Sequence, residues 1–595
     1  MSPGMSQHHP NWIQKLLPLL FAALVFAGSP AAPQRAAARP NVLLIITDDQ
    51  GYGDFGFHGN PKIKTPNLDR LARASVELER FYVSPVCAPT RASLMTGRYN
   101  YRTGVTDTYL GRAMMRPEEV TLAEMFSAAG YRTAIFGKWH LGDNYPLRAI
   151  DQGFREALVH KGGGIGQPSD PPGGNSYFDP VLQHNGHSVK ARGYCSDVFT
   201  DAALEFIGQT RASPFFVYLA FNAPHAPLEV PDRYYQPYAK LGLANREFPR
   251  LGHPLPAEAD PETTARVYGM VTNIDDNLGR LFARLEALGI AANTIVVFLT
   301  DNGPQQVRYN AGLLERKGSV HEGGIRVPCL VRWPGRLAAG RKVATVAAHI
   351  DVAPTLLDLC AVAPPRGVAF DGRSLAPLLS GREVAWPDRT LFFQWHRGEV
   401  PELYRAFAAR TARYKLAQPA GAGDATIPAK AELKLYDMLE DPLEQRNIAA
   451  EHPEIASNLR AQYEAWFRDV GSRGYAPPRI HLGTPHEDPV VLTRQDWRGL
   501  RSGWNSDSLG HWEVDVAKAG LYDVRLRFPA APPEASAHVA LGGAALDRPL
   551  TPGATECLFE GARLKSGPDK LEAWIARPGA TNGVSYVEVT TRAER

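Results

Sequence analysis

Two acids, Asp48 and Asp49, stand side by side at the end of the apolar run NVLLIITDD (41–49). Adjacent carboxylates repel, so burying both requires a neutralising charge. A hard divalent cation with oxygen ligands, Ca²⁺ or Mg²⁺, supplies it. TDNG (300–303) adds Asp301 and the amide oxygen of Asn302 at the end of a second such run. For either pair alone, capping of a helix or turn is an equal explanation. The glycines of TDDQGYGD (47–54) let the backbone turn sharply around a site. Five cationic or imidazole side chains could hold an anion: Arg91, Lys138 and His140 in FGKWHLG, His225 in APHAP, and Lys317 in ERKGSVHEGG. Singly, such residues are mostly solvated or satisfied in a core. Together with the acids they describe a divalent metal and a cationic pocket facing one tetrahedral oxyanion. Cys87, in SPVCAPTRASLMTGR, has no second cysteine near it.

The acids sit where a parallel sheet would put them. NVLLIITDD, PFFVYLAF (214–221) and NTIVVFLTDNG (293–303) are continuous apolar runs of buried-strand length. Between them run helical patterns: VTLAEMFSAAG (120–130), closed by a glycine, a long one at 265–289 with Tyr268, Val271, Ile274, Leu278, Leu281 and Leu285 at helical spacing, and 351–363. Alternating strands and helices predict an α/β fold, a mostly parallel sheet covered on both faces. Ligands then bind at the carboxyl ends of the strands.

After about Gly372 the pattern changes to the short strands RTLFFQW, ARYKLAQ and ELKLYDM and a helix near 454–470, predicting a smaller antiparallel subdomain. The Pro-rich stretch 475–489 reads as a linker. WEVDV, YDVRLRF and VSYVEVT alternate apolar and polar residues, predicting an appended β-sandwich. The expected division is 1–32 signal peptide, 39–371 catalytic α/β domain, 372–480 smaller α+β subdomain and 488–595 β-sandwich.

Bulk properties set the outer bounds. A chain of 595 residues is too long for one core and suggests two to four domains. A net charge of +3 without a polybasic run points away from nucleic acid and acidic membrane surfaces. Lys15 followed by LLPLLFAALVFAG and small residues reads as a secretory signal peptide, with an uncleaved N-terminal anchor as the alternative. No later segment is long and apolar enough to cross a membrane. The expected location is therefore exported, periplasmic or secreted. Five cysteines do not make a disulfide scaffold, and their odd number leaves at least one unpaired.

CAPTRASLMTGR (87–98) resembles the signature of the type I, formylglycine-dependent sulfatases of the alkaline phosphatase superfamily, through Cys87, Pro89, Arg91, Thr96 and Gly97. GYRTAIFGKWHLG (130–142) resembles the second signature of that family. NVLLIITDDQGYGD, APHAP, TDNGP, HEGGIRVP and LYDMLEDPLEQRNIA resemble its other blocks, in order, from about Pro40 to Asn447. The family often has Ser where this chain has Thr90. The resemblance implies an alkaline-phosphatase-like fold and hydrolysis of sulfate monoesters. It implies that a maturation enzyme oxidises Cys87 to formylglycine, whose hydrate attacks sulfur through one hydroxyl and expels sulfate through the other. A plain serine could be sulfated but lacks that exit. By the same resemblance Ca²⁺ is held by Asp48, Asp49, Asp301, Asn302 and the modified Cys87. Arg91 and Lys138 would steady the hydrate, His140 would take the second hydroxyl's proton, Lys317 would bind a sulfate oxygen, and His225 would contact sulfate and protonate the leaving oxygen, a role Lys317 could share.

The first expectation is thus an exported sulfatase acting on a sulfated carbohydrate. A phosphodiesterase or phosphonate monoester hydrolase of the same superfamily is the alternative in chemistry, and an inactive carbohydrate-binding homologue the alternative in class. Trp497, Trp504 and Trp512 in the last segment could stack on sugar rings, though core packing and docking onto the catalytic domain is the favoured role. The loops 107–116, 160–174 and 304–310 are expected at the pocket rim.

Overall fold

The structure is a computed structural model and describes residues 39–209 and 213–593. The expected signal peptide, 1–32, lies outside these residues. Asn41–Thr47 is the centre of a ten-stranded sheet. It pairs in parallel with Phe215–Ala220 on one side and Thr294–Thr300 on the other. Arg132–Lys138 and then Glu156–His160 extend the parallel run. On one side antiparallel Cys329–Arg332 follows Thr294–Thr300, with Val76–Leu78 and then Lys342–Val343 beyond it; on the other an antiparallel hairpin at 181–190 lies beyond Glu156–His160. The α/β architecture is the one expected.

Why these runs lack alternation is plain from their packing. Val42, Leu44 and Ile46 face one core; Leu43 and Ile45 face a second. Both faces of the strand are covered, so both sets must be apolar. The first core takes Leu94 and Met95 from the helix Cys87–Thr96. The second takes Met270, Ile274, Leu278 and Leu281 from the helix Pro261–Ala287. That helix starts where Asp260 accepts from the Glu262 and Thr263 amides and Pro261 occupies its first turn. Thr121 and Glu124 form a capping box on the helix Leu122–Ala128.

Leu391–Gln394, Phe407–Arg410, Tyr414–Gln418 and Lys434–Asp437 form a four-stranded antiparallel sheet, with Pro453–Val470 packed on it through Leu459, Tyr463 and Trp466. The strand Phe407–Arg410, FAAR, was not among those expected; with all four residues buried it shows no polar alternation to read. A buried charge network links this sheet to the short helix Glu322–Ile325. Lys415 Nζ lies 2.9 Å from Glu444 and 3.0 Å from Glu322, all three fully enclosed. Burial opposes ionisation of Glu444, but Lys415 and then His321 hold its carboxyl down at about 2. Replacing Lys415 by Met would leave two buried carboxylates facing each other. We expect a loss of about 3–5 kcal/mol, read from denaturant unfolding; an unchanged midpoint would refute the network's role.

The last segment forms two sheets. One has seven strands, including Leu509–Val516 and Gly567–Arg577, and the other four, including Gly520–Arg527 and Tyr586–Arg592. Trp497 and Trp512 are fully buried in the core between them. They pack rather than offer faces to sugar. Trp504 is half-buried and meets Tyr109 edge-on, 5.2 Å between centroids. The same core takes in Leu110, Met114 and Leu147 of the large domain. The stretch read as a linker is docked: Ile480–Leu482 is a strand parallel to Leu509–Val516, and Glu487 accepts from the Tyr145 amide at 2.7 Å. All five cysteines are buried and unpaired. Among the described residues no helix is long and apolar enough to cross a membrane.

Candidate active site

Four adjacent parallel strands end together, and the residues just past their ends converge. Thr47 leads to Asp48 and Asp49, Thr300 to Asp301 and Asn302, and Ala220 to the turn bearing His225. Lys138 closes its own strand, and His140 follows two residues on. Cys87 opens the helix Cys87–Thr96, which is buried from end to end. One carboxylate oxygen each of Asp48 and Asp301 and the Cys87 sulfur lie within 4.8 Å of one another; Asp48, Asp49 and His225 form a second such group.

The acids are held by cations in pairs. Lys138 Nζ contacts Asp48. Arg91 reaches Asp301 through Nη2 at 2.8 Å and Nε at 3.2 Å, and donates to the Lys138 carbonyl at 3.0 Å. Lys317 Nζ is 2.7 Å from Asp49 Oδ1, which also accepts from Asn302 Nδ2 at 2.7 Å. His225 Nε2 is 3.8 Å from Asp49 Oδ2. Asp49 and His140 both adopt left-handed φ, +58° and +62°. Such a conformation costs about 1–3 kcal/mol and persists only where its surroundings enforce it. Around Asp49 they do: its amide donates to Asp301 Oδ1 at 3.1 Å, and Arg308, itself paired with buried Asp54, donates to its carbonyl at 2.8 Å.

The donor set fits a hard divalent cation. Asp48 Oδ1, Asp49 Oδ2 and Asn302 Oδ1 are buried without a hydrogen-bond partner. Three enclosed oxygens from three acceptor side chains need a positive partner. The carboxyl groups behave accordingly. Burial works against ionisation of Asp48, but Lys138, His225, Arg91 and Lys317 outweigh it and hold its carboxyl far below the usual range. Asp301 is pushed up by burial and by the Asp48 charge. The protein's own cations therefore do not suffice for every acid, which a bound dication would remedy.

Burial pushes the Cys87 thiol up, with Lys138 and Lys317 acting against that rise, so at neutral pH it is no thiolate. Burial, reinforced by Lys138, holds His140 well below the usual imidazole range. Burial also lowers His225, against Asp48 and Asp49. Both imidazoles are neutral and able to take a proton. Lys317 is raised by Asp49 and Cys87 despite its burial and stays charged.

All the site residues expected from sequence come together here. Others were not singled out. Arg308 and Asp54 lie in quoted stretches, but nothing in the sequence pairs them. His160, at the end of its strand, is buried and held down to about 3 by its burial. The loop 160–174 supplies Gly163 and Gly164, where a β-carbon would come within 2.8 Å of the His140 and His225 rings. The loop 107–116, expected at the rim, is largely buried under the sandwich.

A parallel sheet whose carboxyl edge gathers acids, an amide oxygen and cations is the setting of an ester hydrolase of the alkaline phosphatase superfamily. The chain belongs to the sulfatase family: the Sulfatase profile matches residues 40–362, and one described as N-sulphoglucosamine sulphohydrolase, C-terminal, matches 312–468. It is 32% identical to arylsulfatase A of Bos taurus over 78% of this chain and 94% of that protein. It is 33% identical to N-acetylgalactosamine-6-sulfatase of Canis lupus familiaris over 64% of this chain and 72% of that one. Among solved structures, Ps i-CgsB in complex with k-i-k-neocarrahexaose superposes with a TM-score of 0.62 at 26% identity, covering 74% of this chain and 95% of that chain. The protein is a sulfuric ester hydrolase.

Proposed function

We propose that this is an exported sulfatase that removes sulfate from a sulfated carbohydrate, using formylglycine made from Cys87 by a maturation enzyme and one Ca²⁺. The observation that carries the chemistry is the cluster itself: three orphaned oxygens beside a protonated, enclosed thiol. Asp48, Asp49, Asp301 and Asn302 would hold the cation, with the modified residue 87 as a further ligand. The cation supplies Lewis acidity toward a sulfate oxygen, and the aldehyde supplies a hydrated nucleophile that can release sulfate again. Lys317 and Lys138 present positive charge to the bound sulfate. Arg91 steadies the residue-87 side of the pocket from its clamp on Asp301. His140, neutral, would take the second hydroxyl's proton; His225 is also neutral and would have to gain a proton before protonating the leaving oxygen, a role the charged Lys317 could share. The apolar N-terminal run supports export.

The carbohydrate reading rests on what borders the site. The segment joining Asn302 to Lys317 forms one wall of an open groove of about 700 Å³, whose lining includes Arg246, Arg250, His253, Tyr309 and Arg316. Arg250 and Arg316 are exposed on it. A basic groove suits a substrate carrying further negative charges beyond the one cleaved. Replacing Arg250 and Arg316 by Ala should raise KM for a multiply sulfated oligosaccharide by roughly three- to tenfold at low salt, with a smaller effect at high salt. An aryl sulfate should show no change. Equal effects on both substrates would remove the groove from the account.

The primary test has two parts. The tryptic peptide 81–91 from the native host should carry an aldehyde at Cys87. Turnover should then be measured on sulfated mono- and oligosaccharides, a steryl sulfate, a phosphodiester and a phosphonate monoester. An unmodified thiol in an active preparation, or preference for either phosphorus ester, would overturn the proposal.

A further inference from the structure

The turn Arg494–Arg498 of the C-terminal sandwich reaches the active site. Gln495 is 2% exposed, and its Nε2 donates to the Thr108 carbonyl at 3.0 Å. The same carbonyl lies 2.7 Å from His140 Nε2. A carbonyl oxygen only accepts, so each of its two lone pairs takes one N–H, from the imidazole and from the amide. That settles the tautomer of neutral His140: the proton is on Nε2, and Nδ1 carries the lone pair. Nδ1 is buried without a partner. Gln495 is anchored in turn, its carbonyl accepting from the Gly111 amide at 2.9 Å. Arg498 beside it pairs with Glu399 at 2.8 Å, and Glu399 also takes Arg112 at 3.2 Å.

We propose that Gln495 is a positioning residue for sulfate ester hydrolysis: through the Thr108 carbonyl it holds His140 in the Nε2–H tautomer with Nδ1 free to accept a proton. The sandwich is then a working part of the active site rather than an attachment. This rests on the proposed role of His140 as a base.

The test is a double-mutant cycle in the full, matured chain, with Gln495→Met, Gln495→Glu, His140→Ala and the double variant His140→Ala/Gln495→Met. Met keeps the length without a donor, and an ionised Glu can only accept. Each Gln495 variant should lower kcat by roughly three- to tenfold, with KM within about twofold and thermal unfolding close to the parent. On the His140→Ala background, Gln495→Met should cost nothing further. A kcat loss of equal size on both backgrounds, or one accompanied by a matching loss of folded protein, means a structural role and overturns the proposal. So does an unchanged kcat in both Gln495 variants while His140→Ala is impaired. If His140→Ala itself keeps the parent kcat, the role given to His140 has failed, and the positioning claim falls with it.

Discussion

Cys87→Ala should abolish sulfate ester turnover, lowering kcat on the order of 10⁴- to 10⁶-fold, as removal of a covalent nucleophile does elsewhere. Cys87 is 2% exposed at the start of a buried helix, and alanine fits its space, so the fold should survive. Thermal unfolding of the variant checks this. Cys87→Ser sharpens the result. A single hydroxyl can accept the sulfuryl group, but no second hydroxyl on the same carbon can drive sulfate off again. Incubation with substrate should add one sulfate per chain, seen by intact mass, without sustained turnover. Sustained turnover by the alanine variant would mean that residue 87 is not the nucleophile and would overturn the formylglycine route.

Asp49→Asn should weaken Ca²⁺ binding by at least about 100-fold, more than the loss typical of an outer partner. Asp49 is enclosed, and its side chain meets Lys317, Asn302 and His225 at once. With a neutral amide there, Lys317 loses its closest counter-charge and the cluster loses one of its three acids. Calorimetric titration of the chelator-treated protein should show one Ca²⁺ site in the parent and little heat in the variant. Chelation should also lower the parent's thermal midpoint, since a ligand bound only by the folded state stabilises it. Unchanged affinity in the variant would place the metal elsewhere.

Much of this site is legible in the sequence because its residues end strands. Asp48, Asp49, Asp301 and Asn302 follow apolar runs whose both faces are buried, and a parallel sheet leaves such residues no other place than its carboxyl edge. Arg91, Lys138, His140, His225 and Lys317 are legible only as a set, through the family's blocks. What sequence hides is what backbone and tertiary packing decide. The acceptor for His140 is a main-chain carbonyl, which any residue at 108 would supply. Gly163 and Gly164 look like ordinary loop glycines until the two imidazoles are placed against them. The tryptophans of the sandwich are ambiguous by type, and only the core they share with Leu110, Met114 and Leu147 decides their role. The stretch 475–489 reads as a linker because prolines interrupt it, yet Ile480–Leu482 joins a sheet edge.

The burial of the helix Cys87–Thr96 also bears on the order of events in the life of the chain. Every residue from Cys87 to Thr96 is enclosed, and its neighbours Val83 and Val86 are equally so. A second enzyme that must grip this segment and oxidise its first side chain finds no foothold once the large sheet has closed over it. The proposed modification therefore belongs to the nascent or still-translocating chain. On that proposal, copies that fold before they are oxidised would stay idle, and the specific activity of a preparation would record a race between a maturation enzyme and collapse of the core.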